Sequence, residues 1–271
     1  MEYRLIVTDL DGTLLDENKN IPEENMRAIE AFRKKGGLFT IATGRGERGA
    51  LPYIKKLNLD IPAVLFNGGE LYDPQKGRIY TVYLERKLYD IIIDHFMDNP
   101  EIGIVVHYHD KVFISEIKSA HDYYINVQKV IYDRVYNLKE IERANKILLV
   151  GDVALAKEEI KRIEQKYGIN INAVQSDKYY FEILPENVSK GEGLKKLCDY
   201  LKIPLGKACA VGDNFNDISL LKTAGLGVAV ENAEEPLKKK ARFITRRNDE
   251  GGVAFLIEKI LLGKMEPFTI K

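Results

Sequence analysis

The chain has 271 residues, 45% of them hydrophobic and 30% charged, with 21 Gly and 9 Pro. That balance excludes collagen-like, disordered and disulfide-scaffold classes, and the length allows one large domain or two small ones. Lys plus Arg and Asp plus Glu number 41 each, so a net charge of zero provides no overall field to draw nucleic acid or an anionic membrane.

The N-terminus, Met1-Glu2-Tyr3-Arg4 before a short apolar run, lacks the features of a secretory signal. No apolar stretch approaches the ~18 residues needed to span a bilayer. The first third then alternates strand-like and helix-like segments: Leu5 to Thr8, Pro22 to Lys35, Leu38 to Ala42, Glu47 to Leu57, Ala63 to Phe66. Short strands with little polar alternation, joined by amphipathic helices, predict a βαβαβ start and a mostly parallel sheet covered on both faces.

The middle differs. Alternating runs rich in β-branched and aromatic residues (Ile104 to Ile114, Tyr179 to Ile183) accompany helices at Leu88 to Met97 and Leu155 to Tyr167, which predicts an inserted α+β domain over 82–184. Residues near Tyr80 to Leu84 and Pro185 to Ser189 form the two linkers, an arrangement suited to hinge motion. The last third resumes the first pattern: a helix at Glu192 to Leu201, a strand at Ala208 to Val211, a helix at Asp217 to Ala224, a strand at Gly227 to Val230, a strand near Phe243 and a helix at Val253 to Leu262. Residues 1–81 and 185–271 are thus expected to build one α/β domain. Cys198 and Cys209 fall in a helix and a strand of it, and read as buried thiols of a protein in a reducing, cytoplasmic setting.

The polar residues that could carry chemistry follow strands. Asp9-Leu10-Asp11-Gly12-Thr13-Leu14 comes directly after the first, and two carboxylates two residues apart share one side if extended geometry persists. They repel unless a cation neutralises them or one takes a proton. Gly212-Asp213-Asn214-Phe215-Asn216-Asp217 follows another buried strand, so two acidic clusters occupy equivalent ends of one parallel sheet, where ligands of such folds bind. The four carboxylates Asp9, Asp11, Asp213 and Asp217 call for Mg²⁺. Thr43-Gly44-Arg45, after the second strand, offers a hydroxyl, permissive backbone and a guanidinium suited to phosphate. Asn67 in Asn67-Gly68-Gly69 adds a donor, and Lys190 in Ser189-Lys190-Gly191 opens a helix at the return from the insertion.

These motifs, in this order and with an inserted domain between the second and third, resemble the haloacid dehalogenase (HAD) superfamily of phosphatases, in particular its Cof-type branch with a large α/β cap (class IIB). The resemblance implies a Rossmann-like three-layer core and hydrolysis of small-molecule phosphate monoesters through an aspartyl-phosphate. It implies Asp9 as nucleophile and Asp11 as general acid/base, with Thr43, Gly44, Arg45, Asn67, Lys190 and Asn216 binding substrate. Asp9, Asp213 and the Asp11 carbonyl would hold Mg²⁺, with Asp217 supporting them. For Asp11 to act as an acid, a neighbour must raise its pKa relative to Asp9. A sugar phosphomutase of the same superfamily, or a phosphate-binding or receiver-type module, is the alternative; the pairing of Asp9 with Asp11 disfavours a module that only binds. The expected partner is a small phosphate ester, with no nucleic acid and no membrane.

Overall fold

The computed structural model describes residues 2–127 and 129–263, so the expected place of residues 264–271 in the α/β domain lies outside the described residues. The chain opens with β1 (Leu5–Thr8), α1 (Glu23–Lys34), β2 (Leu38–Ile41), α2 (Glu47–Lys56) and β3 (Ala63–Leu65). Next are β4 (Glu70–Asp73) and β5 (Gly77–Thr81), which sequence pattern does not signal because polar residues and a turn interrupt their apolar positions. The middle supplies α3 (Arg86–Phe96), β6 (Ile102–Tyr108), β7 (Lys111–Ile114), β8 (Asp133–Arg134), β9 (Lys146–Gly151), α4 (Val153–Tyr167), β10 (Ala173–Asp177) and β11 (Tyr180–Ile183). The last third adds α5 (Lys190–Leu201), β12 (Ala208–Gly212), α6 (Ile218–Thr223), β13 (Leu226–Ala229), α7 (Glu235–Lys238), β14 (Phe243–Ile244) and α8 (Gly252–Leu261).

The backbone divides into two compact units. One takes the chain up to Arg45, Gly49–Tyr80 and the chain from Ser189; the other takes Gly46–Arg48 and Thr81–Val188. In the first, five strands run in the order β14-β13-β12-β1-β2, and every pairing is parallel. Both ends of the chain therefore build one sheet. β1 and β12 are buried throughout, which is why their sequences read as unbroken apolar runs rather than alternations. Helix α1 packs with α8, and α5 with α6, giving the α/β architecture expected. α1 carries Glu23 and Glu24 in its first turn and Arg33 and Lys34 in its last, the order the helix dipole favours.

In the second unit six strands run β10-β11-β9-β6-β7-β8. The Ile104–Ile114 run is a hairpin of β6 and β7, with Tyr108 paired to Lys111. One apolar cluster joins Ile104, Val106, Ile147, Leu149, Phe181 and Ile183 of this sheet with Ile92, Phe96, Ala156 and Ile160 of α3 and α4. The alternate residues Val105, Leu148 and Tyr180 pack instead with Tyr124. Helix α4 is started by Asp152, whose carboxylate accepts from the Ala154 and Leu155 N–H groups at 2.8 and 3.1 Å. Among the described residues no helix is long and apolar enough to cross a membrane.

Candidate active site

Parallel register sets the positions of the motif residues. β1 pairs with β12 so that Thr8 lies opposite Val211, and the Asp9 N–H continues that ladder to the Val211 carbonyl at 2.9 Å. Asp9 thus leaves β1 beside the point where Asp213 leaves β12. Thr43 follows β2, and its N–H bonds the Val64 carbonyl of β3 at 2.9 Å. Asn67 follows β3 and its N–H returns to the Thr43 carbonyl at 3.0 Å. All four loops stand at the carboxyl ends of the strands, where the crevice of such a sheet opens.

Lys190 ties the acidic residues together. It is fully buried, and its Nζ lies 2.7 Å from Asp9 Oδ1 and 2.6 Å from Asp217 Oδ1. Ser189 starts its helix, the hydroxyl accepting from the Glu192 N–H at 3.2 Å, so Lys190 sits in the first turn. Asp217 accepts through Oδ2 from the N–H groups of Asp213 and Asn214 at 3.0 and 3.1 Å. The Thr13 hydroxyl donates to Asp213 Oδ1 at 2.7 Å. Gly12 adopts φ +75°, and a Cβ there would stand 2.5 Å from Asp213 Oδ2; both the backbone conformation and the close approach require glycine.

The carboxylate oxygens of Asp9, Asp213 and Asp217 come within 4.8 Å of one another. Burial pushes the Asp9 carboxyl above the usual carboxylate range, against the pull of Lys190, and Asp217 and Asp11 push the same way. Burial also raises Asp213, with Asp9 and Asp217 adding to it against Thr13 and Lys190. One lysine is too little charge for three crowded carboxylates. An all-oxygen, anionic donor set of this kind fits a hard divalent cation.

Asp11 stands apart from that trio. Arg45 grips it through Nε on Oδ2 and Nη2 on Oδ1, both at 2.7 Å, and Lys19 Nζ adds a contact to Oδ1 at 2.8 Å. Burial by itself would raise the Asp11 pKa, but the hydrogen bonds and charge of Arg45, with those of Lys19, hold it well below the usual range. This is opposite to the direction expected for an acid, because the Thr43-Gly44-Arg45 turn aims its guanidinium at Asp11. That turn is closed by the Arg45 N–H on Thr43 Oγ1 at 3.1 Å. The two asparagines find each other: Asn216 Nδ2 donates to Asn67 Oδ1 at 3.0 Å.

Three contributors escape sequence reasoning. Lys19, Asn232, which donates to the Gly12 carbonyl at 2.8 Å, and Tyr53, whose ring lies 5.0 Å from the Arg45 guanidinium carbon, have no motif of their own. Thr13 carries a signal, since it belongs to the Asp-Gly-Thr run.

The family model of haloacid dehalogenase-like hydrolases matches residues 6–257. Two Bacillus subtilis relatives, YwtE and YitU, each called 5-amino-6-(5-phospho-D-ribitylamino)uracil phosphatase, are each 30% identical. The alignments cover 96% of this chain and 99% of YwtE, and 94% and 96% for YitU. A solved haloacid dehalogenase-like hydrolase from Bacteroides thetaiotaomicron superposes with a TM-score of 0.83 at 28% identity, over 95% of this chain and 99% of that one. The chain is therefore an enzyme of the haloacid dehalogenase-like hydrolase family, and its α/β architecture is shared with that solved relative.

Proposed function

We propose that this enzyme hydrolyses small-molecule phosphate monoesters, with Asp9 as nucleophile and Mg²⁺ held by Asp9 and Asp213 with support from Asp217. It is a phosphatase, and the observation that carries the mechanism is the fully buried Lys190 bridging Asp9 and Asp217 at the strand ends. A buried ammonium held by two carboxylates is costly to desolvate, and here it orients the Asp9 carboxylate and favours its anionic form against the burial that opposes it. Bound Mg²⁺ supplies positive charge that screens the repulsion between a carboxylate and a phosphate dianion.

Asp9 attacks phosphorus through a carboxylate oxygen; a P–O bond forms to Asp9 as the ester P–O bond breaks. The leaving oxygen takes a proton from Asp11. Water then attacks phosphorus of the aspartyl-phosphate as Asp11 takes up its proton; the new P–O bond forms as the P–O bond to Asp9 breaks, which returns the Asp9 carboxylate and releases inorganic phosphate. The anionic Asp11 described above suits this second half. For the first, its carboxyl must leave Arg45 and Lys19 and carry a proton. Thr43, Gly44 and the paired Asn67 and Asn216 stand in the loops after β2, β3 and β12 and are the groups proposed to bind phosphoryl oxygens.

The substrate class is a sugar or polyol phosphate or a phosphorylated cofactor precursor, in keeping with the phosphoribityl compound in the names of YwtE and YitU. The test is hydrolysis of a panel of such esters with Asp9→Asn as control. The expected outcome is turnover of at least one alkyl ester, reduced by several orders of magnitude in the variant. A variant within about tenfold of the parent, ~1.4 kcal/mol of barrier, would exclude Asp9 as nucleophile.

A further inference from the structure

Lys19 lies outside every motif, yet the local fold aims it at Asp11. Its backbone sits at φ +60°, a conformation unusual for a long side chain and more readily adopted by Gly or Asn. The turn is held by the Asp16 N–H on the Asn20 carbonyl at 2.9 Å and the Lys19 N–H on the Asp16 carbonyl at 3.0 Å. A third bond runs from the Asn20 N–H to Asp16 Oδ1 at 2.8 Å. The Tyr53 hydroxyl then donates to the Lys19 carbonyl at 3.1 Å, while the same tyrosine ring faces the Arg45 guanidinium. One aromatic residue thus braces both cations that hold Asp11.

We propose that Lys19 is a positioning residue for Asp11: together with Arg45, and braced by Tyr53, it sets where the acid/base carboxylate stands at the mouth of the site. The inference rests on the assignment of Asp11 as acid/base. Arg45 makes a two-point contact that fixes the plane of the carboxylate, and Lys19, on Oδ1 alone, opposes rotation about that axis. The Lys19 and Asp11 side chains are 52% and 38% exposed, so a single pair here is weak and its loss shifts rates by a small factor.

The test uses the leaving group as reporter. Departure of an alkoxide needs a proton from Asp11, whereas 4-nitrophenolate leaves without one, and general-acid assistance is worth about 10²–10⁴-fold. kcat/KM reports only the steps through phosphoenzyme formation, so its ratio for an alkyl ester against 4-nitrophenyl phosphate isolates the proton donation. We expect Lys19→Met, which loosens the hold on the Asp11 carboxylate, to raise that ratio about fivefold and Lys19→Arg to keep it within twofold of the parent, with circular dichroism confirming the fold of each. Asp11→Asn, measured alongside, should lower the ratio about a hundredfold. If Asp11→Asn does so and Lys19→Met leaves the ratio within twofold or lowers it, the positioning role is overturned alone. If Asp11→Asn leaves the ratio unchanged, the acid/base assignment fails first, and the role of Lys19 with it.

Discussion

Replacing Lys190 by Met keeps the length and removes the charge, which strands Asp9 and Asp217 in a buried site. The two contacts, at 2.7 and 2.6 Å, are worth roughly 6 kcal/mol each at an effective dielectric near 20. Set against that is the lysine's own desolvation, several kcal/mol. Breaking a buried pair costs about 3–5 kcal/mol, and the upper end applies because two carboxylates lose their partner. At ~2–4 °C per kcal/mol for a chain of this size, the melting temperature in chelator should fall by roughly 10–20 °C. Added Mg²⁺ should restore more of the loss than it adds to the parent, since the vacated charge leaves the acidic trio more attractive to a cation. Differential scanning fluorimetry of both proteins, with and without Mg²⁺, reads both effects. A fall below about 3 °C in chelator would refute the claim that Lys190 holds these charges together.

Chelator should abolish activity and Mg²⁺ restore it, while Ca²⁺, with its larger and looser coordination, supports it poorly; full activity after exhaustive metal removal would defeat the cation assignment. In the inserted unit, burial, with the charge of Lys146 adding to it, holds the His107 pKa well below 6.5, so the unfolded chain binds a proton near pH 6.5 that the folded chain refuses. That contribution to stability is complete above about pH 6.5 and is lost as pH falls below it, by up to ~1.4 kcal/mol per pH unit. His107→Gln should flatten the acid limb of the melting-temperature profile between about pH 6.5 and 5, and identical slopes in parent and variant would dismiss His107 as its source.

How much was legible in the sequence follows the range of the interactions. Leu5 to Thr8 and Ala208 to Val211 announce themselves because both faces of the sheet are buried, and the acidic residues after them are placed by parallel register alone. β4 escapes because Glu70 and Asp73 bound an apolar run too short to show a period, and β5 because Gly77 and Arg78 open it directly after a turn. The Thr13 to Asp213 bond links residues 200 positions apart, and that from Asn232 to Gly12 spans 220; neither leaves a local trace. The pairing of Asp11 with Arg45 was missed for another reason. The Thr43-Gly44-Arg45 turn identifies a cation near an anion site, but whether the guanidinium faces phosphate or a neighbouring carboxylate depends on its rotamer and on Tyr53, which only the packed structure supplies.

The charges divide the site into two halves, and the division supports the proposal that a cation and a phosphate ester meet there. Asp9, Asp213 and Asp217 with Lys190 carry two net negative charges once all three carboxylates are ionised, which one divalent ion cancels. Asp11 with Arg45 and Lys19 carries one net positive charge. With its carboxylates ionised and no divalent ion, the site as proposed would present a net negative charge to an incoming phosphate dianion, and Asp9 would repel the group it is proposed to attack. With the ion in place the sum is positive, and an anion is drawn between the two halves. A dianion arriving there also gives Arg45 and Lys19 an alternative acceptor, and every contact they transfer to phosphate is one fewer holding the Asp11 carboxylate. On the role proposed for Asp11, substrate charge and the release of the acid/base are then linked: the phosphoryl group that would need Asp11 is itself the competitor that would detach it from its clamp.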